Sequence, residues 1–421
     1  MNKKTSTMDL SLSNNERLNL YSSSPFKPKK FQNLIPSGLK FFSFHAGFKN
    51  KNNDLLVIVF EKVINVSCVY SLTSTPSAPI IWDKKYNKGK CKVLIVNSGN
   101  ANAHTGSKGI KIIDKYVSKI IKKIKCKKSE VLVSSTGVIG ELFNPYLIIK
   151  SINKIEQTKS TDLISAASSI MTTDTFPKTI VKKIKIQNKT FNIFGIAKGS
   201  GMIQPNMGTM LAYIFIDCFL SKKNLKKLLY DNLDDTFNSI SVDGDTSTSD
   251  TLMIFSLPNK KVNLDIEKNY ELLSKNLYDV MEKLAYQVIL DGEGVSKIIK
   301  VNVTNAKTKL QAKNIAFSIV NSPLVKTAVA GADANWGRII MAIGKSYEKI
   351  DQNKIKISFG NNIVCRKGQI NQKINYKKLN LYMKKNQISI NIDLGLGVFN
   401  KRVYGNDLTN NYIKINADYR S

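Results

Sequence analysis

The feature that most restricts this chain is a set of strand-length apolar runs, several of which stop in a loop of small polar residues. "DLLVIVF" (54–60), "CKVLIVNSGN" (91–100), "EVLVSSTG" (130–137), "TMLAYIFID" (209–217) and "TLMIFSL" (251–257) are too short for buried helices and too apolar for a solvated face. Runs of this kind need cover on both faces. The cover is legible between them. "GIKIIDKYVSKIIKKIKC" (109–126) repeats isoleucine and valine at helical spacing, and "NYELLSKNLYDVMEKLAYQVILDG" (269–292) is a long amphipathic helix closing at Gly292. Ser221 is placed to cap the helix of 221–240, residues 157–172 have helical character, and 322–344 reads as helix, loop, helix. "VINVSCVYSLTST" (63–75) alternates like a further strand, and the C-terminal third is strand-rich. Strand, loop and helix alternate with no Pro/Gly linker, which predicts one interleaved α/β layered body.

Composition narrows the function classes. At 421 residues the chain can build two or three cores, and 42% apolar content excludes a disordered chain. No run approaches a membrane span. The five cysteines are scattered, without a C-x-x-C pair, as in a protein of a reducing, cytoplasmic compartment. The net charge of +33 raises nucleic-acid binding, because lysine clusters displace counterions from phosphate. The lysines, however, run along nearly the whole length, with neither an aromatic RNA-binding strand nor finger spacing, so a basic nucleic-acid binder is the lesser reading. A preference for anionic small molecules fits the same charge. Residues 1–32 are polar, Ser- and Lys-rich and lack an apolar core, and are expected to be a disordered extension.

Most familiar chemistries fail on a required residue. "GRIIMAIGKS" has the Gly-Lys-Ser of a phosphate loop, but Ile339 stands where the first glycine belongs. "DGDTSTSD" starts like a calcium loop, but Thr248 and Ile254 occupy its essential Gly and Glu positions, so its Asp and Thr side chains are expected to cap backbone N–H groups. Two histidines cannot build the usual zinc set, and no G-x-S-x-G elbow exists; no metal and no cofactor are expected. A nucleophile carrying its own base remains: an N-terminal threonine, whose α-amine takes the hydroxyl proton. Thr209 would qualify if the peptide bond after Gly208 broke, and a glycine there tolerates the strained backbone of an N→O acyl shift. On these residues alone the plainer reading, a small pair beginning a strand, stays open.

"KGSGMIQPNMGTML" (198–211) resembles the cleavage segment of the ornithine acetyltransferases, the bifunctional glutamate N-acetyltransferase family of arginine biosynthesis. Further matches follow in that family's order: "NSGNANAHTG", "SSTGVIG", "MTTDTFPK", "VDGDTSTSDT", "DGEG", "SPLVKTAV" with "NWGR", and "INADYRS", together spanning roughly 33–421. The resemblance implies a layered αββα-like sandwich. It implies self-cleavage between Gly208 and Thr209 into an alpha chain (33–208) and a beta chain (209–421), assembled as two alpha and two beta chains. Thr209 would take an acetyl group from N-acetylornithine and pass it to glutamate, and acetyl-CoA would be a further donor in the bifunctional form. A same-fold self-cleaving aminopeptidase or amidohydrolase would share the nucleophile but lack "DGEG" and "INADYRS".

The resemblance also assigns site residues. Thr136 (hydroxyl) and Gly137 (backbone N–H) take the oxyanion role, Lys198 meets a substrate anion and Glu293 a cation. Thr175, Asn416 and Ser421 are further substrate contacts, which requires the C-terminal tail to fold over the site. The chain departs from the family pattern at five positions. Gly208 stands for the commoner alanine, His104 for a common cysteine, and Ser421 for threonine. Ala332 and Ala334 replace the usual arginine and proline.

Overall fold

A computed structural model describes residues 23–204 and 210–417. The first sheet holds β1 (Leu39–Phe44), β2 (Leu55–Tyr70), β3 (Lys90–Asn100), β4 (Val131–Val138), β5 (Lys178–Ile186), β6 (Lys189–Lys198), β7 (Leu211–Ile216) and β9 (Thr251–Ser256); the short β8 (Ile240–Ser241) joins another sheet. The order is β4-β3-β2-β9-β7-β6-β5, with β1 added on β2. β3–β4 and β7–β9 run parallel; the remaining pairs are antiparallel.

The long strand β2 turns this one sheet into a sandwich. The runs that read in sequence as two strands are continuous here. Leu55–Val59 pair with β3, the register shifts between Val59 and Ile64, and Asn65–Tyr70 pair with β9. A bulge of this kind bends a strand. The two halves of the sheet fold face to face: Phe41 of β1 meets Phe215 of β7 at 5.8 Å, and Phe60 of β2 meets Phe255 of β9 at 5.1 Å. Each half buries its outer face under helices. Trp82 of α1 (Ala78–Tyr86), Ile113, Tyr116, Val117 and Ile120 of α2 (Gly106–Ile124) and Ile148 and Ile152 of α3 (Tyr146–Asn153) cover β1–β4. The helix α4 (Leu163–Ser169) plugs the middle layer. On the far side α5 (Lys222–Leu233) and α6 (Glu267–Leu290) cover β5, β6, β7 and β9, and Ser221 caps α5 by accepting from Asn224 N. The expected αββα layering is therefore present. α6 stops at Leu290 and its last carbonyls accept from Asp291 N, so the C-cap is Asp291 where Gly292 was expected.

A second sheet extends the sandwich. It contains β10 (Ile298–Ala306), β11 (Lys356–Phe359), β12 (Asn362–Arg366), β13 (Gln369–Ile370), β14 (Gln387–Asp393) and β15 (Phe399–Asn406), in the order β13-β12-β11-β14-β10-β15-β8. One face packs under α7 (Lys309–Val320), α8 (Pro323–Ala330), α9 (Trp336–Gly344) and α10 (Tyr376–Met383), with Ala332 and Ala334 against the same core. The other face meets α6, where Tyr404 packs edge-on to Tyr286 at 5.1 Å and Arg402 pairs with Glu282. The two units are thus interleaved, as the missing linker predicted. A short helix α11 (Asn410–Ala417) returns the chain to the first unit.

Part of the expected N-terminal extension belongs to the body. Ser24 N donates to Thr175 Oγ1 at 3.0 Å, Gln32 Oε1 accepts from Val181 N at 2.5 Å, and Phe31 lies 6.2 Å from Phe176. These contacts pin the segment, so disorder over the whole of 1–32 does not describe residues 24–32. Residues 1–22 lie outside the described residues.

Candidate active site

The ends of β4 and β6 and the starts of β7 and β9 reach one rim, where the two half-sheets part. A cleft of roughly 200 Å³ opens there, with Thr136, Gly137, Lys198, Met210, Asp250, Glu293 and Asn416 in its wall. It joins residues that lie far apart in sequence and in different half-sheets. The Lys198 ammonium crosses the parting and donates to Thr136 Oγ1 at 3.1 Å. Because that hydroxyl accepts from Lys198, its own proton is free for a second acceptor.

Gly137 is a glycine for a mechanical reason. Its φ is +127°, and a Cβ on it would stand 2.3 Å from the Gly99 carbonyl carbon on the neighbouring strand. The close β3–β4 approach leaves no room for a side chain at the expected oxyanion position.

The three charged groups of the wall sit in different states. Lys198 is buried, and desolvation lowers its pKa despite the opposing fields of Asp174, Asp250 and Glu293. Burial raises the Glu293 carboxyl, partly offset by hydrogen bonds from Thr173 and Asn416. Asn416 Nδ2 of α11 donates to Glu293 Oε2 at 2.9 Å, so two expected contacts 123 residues apart in sequence form one unit. Gly201 lets Glu293 into place, since a Cβ there would meet Oε2 at 2.3 Å. Asp250 is 3% exposed, and burial pushes its carboxyl well above the usual range despite hydrogen bonds from Ser247 and the field of Lys198.

A buried ion triad holds the floor. Lys178 Nζ is 2.6 Å from both Asp174 Oδ1 and Asp291 Oδ2, all three side chains fully buried. Burial would raise Asp174, but Lys178 and Lys198 hold it well below the usual carboxylate range. Asp174 also accepts from Gly199 N at 2.7 Å and Thr172 N at 2.9 Å. One carboxylate thereby ties the "MTTDT" turn to the "KGSG" turn. Asp243 ties the next residues, accepting from Met202 N at 2.6 Å and Ile203 N at 2.8 Å. The "DGDTSTSD" segment caps backbone groups as expected, and its Ser247–Asp250 portion lines the cleft as well.

Thr136, Gly137, Lys198, Glu293 and Asn416 converge here. Thr175 does not line this cleft: its hydroxyl donates to Asp291 Oδ1 at 2.5 Å and accepts from Ser24 N, while Thr172 and Thr173 of the same motif line it. Sequence reasoning passed over Thr172 and Thr173, and took Asp250 for one of the capping residues of the "DGDTSTSD" turn. The Asp174–Lys178 spacing of four residues was a legible hint to the triad, but Asp291, 113 residues further on, was met only as the first residue of "DGEG", with nothing to pair it with Lys178. Gly208, Thr209 and Ser421 lie outside the described residues. Met210, which follows Thr209, is buried, lines the cleft, and accepts from Thr251 N at 2.8 Å. The Gly-Lys-Ser of 344–346 falls at the end of α9, whereas a phosphate loop must open a helix. Among the described residues no helix is long and apolar enough to cross a membrane.

Comparison with known proteins gives an independent line. A family model described as ArgJ family matches residues 40–421. The arginine biosynthesis bifunctional protein ArgJ of Bartonella henselae is 41% identical over 401 residues, covering 94% of this chain and 98% of that relative. Its namesake from Bradyrhizobium diazoefficiens is 40% identical over 410 residues, covering 95% and 99%. Among solved structures, a chain of the Bacillus halodurans arginine biosynthesis bifunctional protein is 34% identical, with a TM-score of 0.46, covering 49% of this chain and 98% of that one.

Proposed function

The chain belongs to the ArgJ family, and from that premise we propose that it transfers acetyl from N-acetylornithine to glutamate through an acetyl-threonine at Thr209. Cleavage after Gly208 frees the α-amine of Thr209, whose reference pKa of about 8 suits a base at neutral pH. The amine takes the Thr209 hydroxyl proton, and Oγ adds to the acetyl carbon. Thr136 Oγ–H and Gly137 N–H receive the oxyanion, and ornithine leaves. Glutamate then attacks the ester and departs as N-acetylglutamate. Lys198 faces a substrate carboxylate and Glu293 the ornithine ammonium, with Asn416 holding Glu293 and Ser421 as a further substrate contact. The observation that carries this reading is the shared wall: Met210, bonded to Thr209, lines the same cleft as Thr136, Gly137, Lys198 and Glu293.

The relatives are named bifunctional, which supports acetyl-CoA as a second donor to glutamate. The cleaved chains pair as two alpha and two beta, in the cytoplasm. Side-by-side assays of glutamate acetylation with N-acetylornithine and with acetyl-CoA test the reaction, and a solution mass tests the assembly. Thr209→Ala should remove both activities. A Thr209→Ala protein that still makes N-acetylglutamate would overturn the mechanism.

A further inference from the structure

The acyl-transfer reading leaves one group of the cleft without work. Asp250 lines the wall with Thr136, Gly137 and Lys198, and one of its oxygens, Oδ2, has no hydrogen-bond partner among the described residues. Glu293 differs, since Asn416 and Thr173 hold it. Asp174 differs too, since Lys178, Gly199 and Thr172 saturate it. A buried polar atom left unpaired costs free energy, and in the wall of a reactive cleft it is a candidate for a catalytic role.

The position of Asp250 is rigid. It precedes β9, whose Thr251 registers against Leu211 of β7 and whose Thr251 N binds the Met210 carbonyl. Its backbone carbonyl accepts from Ser71 N at 2.9 Å. It therefore sits one strand from the chain that leads into the cleft.

We infer that Asp250 is a catalytic acid–base of this cleft: it protonates the amine that leaves the acetyl group and deprotonates the amine that attacks it. The inference rests on the acetyl-threonine reading above. In the first half-reaction the Thr209 oxygen bonds to the acetyl carbon and its proton passes to the α-amine. The acetyl C–N bond breaks, the departing nitrogen takes the Asp250 proton, and ornithine leaves as a neutral amine beside an Asp250 carboxylate. In the second, the neutral amine of glutamate bonds to the acetyl carbon and gives one proton to that carboxylate. The ester C–O bond breaks, and the Thr209 oxygen recovers its proton from the ammonium. The enzyme ends as it began, with Thr209 hydroxyl, neutral α-amine and Asp250 carboxyl, and the net change is the acetyl group's passage from ornithine to glutamate. Burial supports the role, because it favours the protonated carboxyl over the carboxylate, which is the direction a general acid needs. The charged group set against it is the Lys198 ammonium, which itself faces Asp174, Lys178 and Glu293.

The test separates a leaving group that needs a proton from one that does not. Cleaved wild type, Asp250→Asn and Asp250→Glu are assayed with N-acetylornithine and with 4-nitrophenyl acetate, whose phenolate leaves unaided. Loss of a general acid costs typically ~10²–10⁴-fold. Asp250→Asn should fall by about 10²-fold or more on N-acetylornithine, keep the nitrophenolate burst within about threefold, and be partly rescued by Asp250→Glu. Equal loss on both substrates means a structural role and overturns the inference, as does full activity of Asp250→Asn on N-acetylornithine. If Asp250→Asn is isolated uncleaved, the cleavage rate is read instead: rescue by glutamate supports the inference, and no rescue overturns it. A wild-type protein that transfers no acetyl refutes the underlying reading, an outcome distinct from any of these.

Discussion

Thr136→Ala is the perturbation whose size can be worked most fully. Thr136 Oγ accepts from Lys198 Nζ at 3.1 Å, leaving one hydroxyl proton for the oxyanion. Removing one such donor costs about 2.7–4 kcal/mol of transition-state stabilisation, or roughly 10²–10³-fold in kcat. A second loss follows, because the buried Lys198 ammonium gives up a hydrogen bond, and bonds to charged groups contribute about 1.5–3 kcal/mol. That loss should lower the Lys198 pKa further and raise KM for carboxylate substrates. Thr136→Ser keeps the hydroxyl and should stay within about threefold of wild type. The assay is steady-state release of ornithine from N-acetylornithine, with glutamate saturating and thermal melts as the folding control. Thr136 is only partly buried, so beyond the few degrees of Tm that the lost Lys198 bond costs, the protein should stay folded. A Thr136→Ala enzyme with wild-type kcat would refute the donor role, and one that unfolds would show the residue to be structural.

Three further outcomes follow from the same geometry. Asp174→Asn leaves Lys178 with one carboxylate and should cost about 3–5 kcal/mol in urea melts at neutral pH, the range for breaking a buried pair. Because the folded-state pKa of Asp174 lies below its unfolded value, its stabilisation is present above about pH 4 and is lost as pH falls through the folded pKa; the variant should lose that part of the acid dependence of stability. Gly201→Ala places a methyl 2.3 Å from Glu293 Oε2 and should raise KM for N-acetylornithine at least about fivefold, since overpacking costs about 1–3 kcal/mol; an unchanged KM would dismiss Glu293 as a substrate contact. Relative to a chain that lacks residues 1–22, one that lacks 1–32 also loses the Ser24 and Gln32 bonds and should be about 1–3 kcal/mol less stable in urea melts.

Much of the layering was legible because it follows from local pattern. A buried strand such as "TMLAYIFID" cannot stand without cover, and α2 and α6 advertised that cover by their spacing. The fold-over at β2 was not legible, since "DLLVIVF" and "VINVSCVY" carry the same pattern whether they form one strand or two. The second sheet showed only as strand-rich composition, because its order depends on pairings between residues about ninety apart, such as Ile298 with Gln387. The site divided in the same way. Thr136, Gly137, Lys198, Glu293 and Asn416 were reached through motif resemblance and meet in one cleft. Thr175 was chosen over Thr172 and Thr173 because a motif does not reveal which hydroxyl faces the cavity. Asp250 looked like one more loop carboxylate, and only burial and its unpaired oxygen distinguish it.

The central claim is that Thr209 is the nucleophile and carries the acetyl group between substrates. Denaturing mass spectrometry of the purified protein, before and after N-acetylornithine is added without glutamate, tests it most directly. The account predicts two chains, one ending at Gly208 and one beginning at Thr209. The second should gain a single acetyl group on the Thr209 hydroxyl and lose it when glutamate is supplied. An intact chain that turns over N-acetylornithine, or an acetyl group carried elsewhere, would contradict it.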